Sequence, residues 1–195
     1  MGTVALVCAM AQATPLQVTV LDQSGKAAAD AVVFLESPAA KAAAKPMKQA
    51  EISQQNKTFV PAVTVVTTGT AVHFPNRDTV RHHVYSFSPV KVFEIKLYVG
   101  TPSSPVVFDK PGIAVLGCNI HDNMLAWTVV VETPWFAKTD TQGLAQFQQV
   151  PPGVYRLRTW HPGLPVGAAA LDQALTVPDQ GATQVKVRLP ASVKM

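Results

Sequence analysis

A chain of 195 residues with 48% apolar, 14% charged and 7% aromatic content can bury a sizeable core, as one large domain or two small ones. That composition excludes a disordered chain, and no apolar run approaches the roughly 18 residues of a membrane-spanning helix. Its formal net charge of +4 is scattered, with no run of like charges, which argues against nucleic-acid binding.

Residues 1–13 are uncharged and mostly apolar, lack a basic start, and reach Ala11-Gln12-Ala13, a small-residue site of the kind signal peptidase cuts. The expectation is an exported, periplasmic protein whose mature chain keeps Cys118 as its single thiol. The alternative keeps this segment as a buried first strand, with Cys8 and Cys118 free to form a disulfide.

The 11 glycines and 16 prolines fall mostly between short alternating apolar segments, and no stretch has capped helical periodicity. The predicted class is all-β. Leu16, Val18 and Val20 alternate with Gln17 and Thr19, then Asp22-Gln-Ser-Gly25 turns the chain toward a second strand at Ala31–Leu35. Ser37–Lys48 reads as an exposed connection whose Ala-Lys content suits a short helix.

Between Lys57 and Val131 several short strands suit a β-sandwich: around Phe59 to Val65, Ala71–Phe74, the His82-His83 segment, Val106–Phe108, Ile113–Leu116 and Trp127–Val131. A third region runs from a turn at Thr139–Gly143 through Ala145–Phe147 and Pro151–Leu157 to Gln184–Leu189. In that last strand Val185, Val187 and Leu189 face inward and Gln184, Lys186 and Arg188 outward.

The middle region holds the chemistry. Gly117-Cys118-Asn119-Ile120-His121-Asp122-Asn123-Met124 spaces a thiol, an imidazole and a thioether three residues apart on one loop, and His82 and His83 supply imidazoles upstream. A buried lone cysteine is usually a small hydrophobe and a lone methionine a gap-filler. Four donors in one pattern instead suit a trigonal site of two imidazoles and a thiolate with a weak axial thioether, the arrangement of electron-transfer copper. Zinc is disfavoured because structural zinc draws several Cys and His from short paired spacings. His73, His161 and Trp160 read as satisfied or packed side chains rather than site residues.

Cys118-x-x-His121-x-x-Met124, preceded by Asn76 and His82, resembles the cupredoxins, with the short ligand loop of amicyanin; Phe59-Val-Pro61, Gly69–Phe74 and Asn76-Arg-Asp78 resemble the lead-in to the first ligand. The resemblance implies one copper ion held by His82, Cys118 and His121, with Met124 axial. It implies that Asn76, near the site, ties the upstream ligand loop to Asn119. His83 stands where asparagine is frequent, and either imidazole can serve as ligand. Strand alternation aims only one of the pair into the site, and the spacing from Asn76 selects His82. Ile120 replaces the proline of amicyanin-like loops, which leaves an amide free to donate to the Cys118 sulfur.

The flanks, Val18–Gly25 to Val33 and Thr139–Gly143 to Pro151-Pro-Gly-Val-Tyr155-Arg-Leu157, resemble carboxypeptidase regulatory-like repeats, small transthyretin-like sandwiches. The implied organisation is a Greek-key cupredoxin sandwich at 49–132 inserted in, or joined to, a discontinuous sandwich of 14–48 plus 133–195. The two-part arrangement is similar to methylamine-utilisation proteins, which implies a dehydrogenase or a cytochrome as redox partner.

The leading functional expectation is a non-enzymatic one-electron carrier, docking its partner through Met124, Leu125 and Ala126 and steering it with Arg77, Arg81, Lys91 and Lys96. The competitor is copper storage or delivery through the same donors. A multicopper oxidase needs many more histidines than the five present. A hydrolase built on Cys118 and His121 would lack a separately anchored orienting group.

Overall fold

The computed structural model describes residues 14–191, so the export segment and Cys8 lie outside the described residues. Among the described residues, seventeen strands and one short helix make an all-β fold. In chain order these are β1 (Thr14–Leu21), β2 (Val32–Glu36), α1 (Pro38–Ala43), β3 (Ala50–Glu51), β4 (Ser53–Gln55), β5 (Thr58–Val60), β6 (Val63–Thr67), β7 (Thr70–His73) and β8 (His82–Ser88). There follow β9 (Lys91–Tyr98), β10 (Val106–Phe108), β11 (Gly112–Gly117), β12 (Leu125–Val131), β13 (Phe136–Lys138), β14 (Leu144–Val150), β15 (Gly153–Trp160), β16 (Leu171–Val177) and β17 (Thr183–Arg188).

The helix sits inside the Ala-Lys connection and starts as its sequence dictates: the Ser37 hydroxyl accepts from Ala40 N at 3.0 Å, and Pro38 opens the first turn where no intrahelical N–H is required.

The two ends of the chain share sheets. β1 lies between β14, antiparallel, and β17, parallel, while β2 lies between β13 and β15, with β16 at the far edge. Leu16, Val18 and Val20 of β1 join Val33 and Leu35 of β2 and Phe147 of β14 in one buried core. The middle of the chain builds a second core between a three-stranded sheet, β10-β7-β3, and a five-stranded one, β6-β12-β11-β8-β9. Phe74, Phe108, Val84 and Leu116 are fully buried or nearly so there.

A third apolar cluster joins the two. Val33 and Leu35 face the first core, whereas the intervening Val32 and Phe34 face Val63 and Val65 of β6 and Val129 and Val131 of β12. β2 is therefore buried on both faces, which is why its sequence is a continuous apolar run rather than an alternation. Trp160 is 4% exposed in this seam, with its ring 6.3 Å from that of Trp127. Beyond Trp160 the seam opens into an apolar groove of about 590 Å³ bordered by Tyr85, Phe87, Leu125 and Val166.

Candidate metal centre

Each donor is held by a different device. β11 and β12 form an antiparallel hairpin whose last pair is Gly117 with Leu125, so residues 118–124 are its connecting loop. Within it the Met124 amide donates to the His121 carbonyl at 2.9 Å, closing a turn that brings the Cys118 and His121 side chains together. β8 pairs with β11 through Tyr85 and Gly117, placing His82, its first residue, beside that loop. Close approach favours the glycine: a Cβ there would lie 2.8 Å from the Tyr85 hydroxyl, which would have to shift.

Cys118 Sγ lies 3.9 Å from His82 Nδ1 and 3.8 Å from His121 Nδ1, and all three donor atoms fall within 4.8 Å of one another. The imidazole centroids are 4.9 Å apart. With metal–sulfur and metal–nitrogen bonds of about 2.3 and 2.0–2.1 Å, neighbouring vertices of a trigonal plane stand about 3.7–3.8 Å apart, and those of a tetrahedron about 3.6 Å. The two sulfur–nitrogen separations thus suit three donors around one ion. Cys118 is a free, buried thiol.

His82 is fully buried, Met124 is 1% exposed in the same core as Cys118, and His121 is half-buried at the exposed loop. Neighbouring His83 points to the opposite face, where Nε2 meets Glu94 Oε1 at 2.9 Å and the ring packs on Tyr85. Outside the centre, the His161 ring is satisfied by Ala29 O and Gly163 N, and burial holds its pKa below the usual value. His73 lies on β7, outside the donor group.

One contact that sequence reasoning missed reaches the site. Asp78 Oδ2 lies 2.7 Å from His82 Nε2, the ring nitrogen turned away from Cys118. Asp78 also accepts the amides of Asn56 at 2.7 Å and Lys57 at 2.9 Å, both on the β4–β5 turn. The Lys57 amide is the main cause holding the carboxyl below the usual aspartate range, opposed by desolvation and helped by His82. The only sequence signal was the aspartate of Asn76-Arg-Asp78, and its partners at 56 and 57 are brought to it by the fold.

Several expectations are corrected. Asn76 does not reach Asn119: its Nδ2 donates to Val80 O at 2.8 Å and Tyr98 O at 2.9 Å, and its Oδ1 accepts from Asp78 N. It braces the loop before His82 against β9, while Asn119 is exposed. The partners of Cys118 Sγ are the two Nδ1 atoms; among the described residues the Ile120 amide makes no bond to it. Met124 and Ala126 are buried, so the exposed apolar side chains beside His121 are Ile120 and Leu125. Of the four cations expected to steer a partner, Arg77 pairs with Glu51 and Lys91 with Asp109.

Behind the donors, Tyr98 donates to Phe74 O at 2.6 Å. Burial pushes its phenol well above the usual value, and the nearby Cys118 charge adds to that.

No family model and no curated protein matches the chain. Solved structures do. A purple cupredoxin from Nitrosopumilus maritimus is 21% identical, with 43% of this chain and 100% of that one covered and a TM-score of 0.38. A Cu-containing nitrite reductase from Thermus scotoductus is 22% identical over 49% of this chain and 27% of its own, with a TM-score of 0.40. An oxidised plastocyanin from Dryopteris crassirhizoma is 18% identical over 42% of this chain and 100% of its own, with a TM-score of 0.37.

Proposed function

We propose that this chain is an exported, periplasmic protein that holds one copper ion and carries single electrons between redox partners. His82, Cys118 and His121 would hold the ion, with Met124 as a weaker fourth donor. The observation carrying the reading is the convergence of one Sγ and two Nδ1 atoms within 4.8 Å. A thiol, two imidazoles and a thioether are the donors that electron-transfer copper takes, whereas zinc prefers a closed set without a thioether.

The copper, when bound, supplies a one-electron couple; the chain supplies a donor set that need not rearrange. Cys118 and His82 are anchored at the ends of paired strands and buried, which disfavours solvent entry and large ligand motion. His121 is the one donor of the three that is not fully buried, with Ile120 and Leu125 exposed beside it, and this supports partner docking at that end. A dehydrogenase or a cytochrome is the class of partner, and the protein is a carrier rather than an enzyme. Residues 49–132 form the copper module; 14–48 with 133–195 form one discontinuous transthyretin-like sandwich that acts as its platform.

The test is Cu(II) addition to the purified protein and to Cys118→Ser. The expected result is an intense sulfur-to-copper visible band in the first and its loss in the second; identical spectra overturn the assignment. A reversible midpoint in voltammetry marks a carrier. Ready transfer of Cu(I) to a chelator, with no stable coloured Cu(II) form, marks storage or delivery through the same donors.

A further inference from the structure

His82 has no freedom to choose its own orientation at the first position of β8, because its ring is fully buried and both nitrogens face specific groups. The group behind it, Asp78, is fixed by something remote in sequence. Asn56 and Lys57 have φ of 54° and 55°, the left-handed pair that closes a two-residue hairpin between β4 and β5. In that turn both amides point at one carboxylate: Asn56 N to Oδ1, Lys57 N to Oδ2. The Asp78 amide is itself held by Asn76 Oδ1 at 2.9 Å. The Asp78 side chain is 14% exposed, so little water competes for its oxygens.

An anionic carboxylate only accepts hydrogen bonds, so the His82 nitrogen facing Asp78 must carry the proton. In the neutral ring the lone pair is then on Nδ1, on the side of Cys118, which is the tautomer a metal ligand requires. A negative charge behind the ring also makes it a better donor to the more highly charged valence of a bound ion.

We propose that Asp78, seated on the β4–β5 turn, is the positioning residue of this centre: it holds His82 as the Nε2–H tautomer and biases the site toward the oxidised ion. The valence bias rests on the copper reading above; the tautomer does not, and the experiment separates them.

Nitrogen NMR on the metal-free protein reads the tautomer directly. Wild type should show His82 as the Nε2–H form alone. Asp78→Ala should show a mixture, and an unchanged single Nε2–H form in that variant overturns the positioning role. Asp78→Asn keeps a neutral acceptor but removes the charge. Its copper-loaded form should show Cu(II) affinity falling about tenfold relative to Cu(I), a midpoint rise of about 59 mV for a one-electron couple. Asp78→Glu should restore the midpoint toward wild type. A midpoint in Asp78→Asn equal to or below wild type overturns the valence bias. If wild type gives a single tautomer but no sulfur-to-copper band, the copper reading fails while the positioning role stands.

Discussion

His82 and His83 are identical side chains one residue apart, and the strand alone gives them different chemistry. Alternation sends the first toward Cys118 and the second toward Glu94, so the opposite facing of the two rings was legible in the sequence. Replacing His83 by alanine should leave copper uptake and the visible band intact, at a cost of about 1–2 kcal/mol from lost packing on Tyr85 and the lost Glu94 contact. His82→Ala should abolish the band, and equal effects of the two substitutions in a copper titration would contradict the assignment. The supporting residues were less legible. Asp78 acts through partners at 56 and 57, and Asn76 turns to Val80 within its own loop and to Tyr98, the latter a contact that exists only once β9 lies beside the loop.

Among the elements, those with clean alternation or an uninterrupted apolar run were readable, including β1, β2, β12 and β17. Five strands were not: the short β3, β4 and β13, and the longer β9 and β16. In β9 the register shifts against β8 between His82 and Val84, so Lys96 and Leu97 are both exposed and period-2 alternation is lost at that point. β16 is an edge strand in which exposed Gln173 interrupts the alternation of Leu171, Leu175 and Val177. Turn chemistry carries firmer expectations. Gly25 and Gly143 both have left-handed φ, of 87° and 73°, but a Cβ at 25 meets nothing within 4 Å whereas one at 143 would lie 2.4 Å from Val20 O. Denaturant melts should therefore show Gly25→Ala costing roughly 1–2 kcal/mol and Gly143→Ala at least about 3 kcal/mol. The β15–β16 connection adds a pH dependence. His161 Nε2–H donates to Ala29 O and Nδ1 accepts from Gly163 N, so the folded state favours the neutral ring. With its folded pKa lowered, its stabilisation is complete above the unfolded value of about 6.5 and declines as the unfolded chain gains a proton below it. The melting-temperature advantage of wild type over His161→Gln should shrink between about pH 7.5 and 5.5. An advantage that is flat with pH would show that the ring is not buried neutral.

At the scale of the whole molecule, the decisive feature is that the sheet carrying the ligand hairpin is apolar on both faces. Ala126, Thr128 and Val130 of β12 point toward the sheet's own partner layer, while Trp127, Val129 and Val131 point toward β2 and Trp160. A sheet with one wet face would alternate apolar and polar residues; Leu125–Val131 does not, because a second layer covers it. The strand leaving Met124 is thereby clamped from both sides, and the cores should unfold as one cooperative unit. Trp160→Ala tests this coupling, since it removes the more buried of the seam's two tryptophans without touching either core. Such a truncation costs about 3–5 kcal/mol when the site cannot collapse. Calorimetry of the wild type should give a single transition; the variant should melt lower and resolve into two, with Trp160→Phe between. If Trp160→Ala keeps one transition at the wild-type temperature, the seam is a passive contact and the ligand hairpin owes its rigidity to its own core alone.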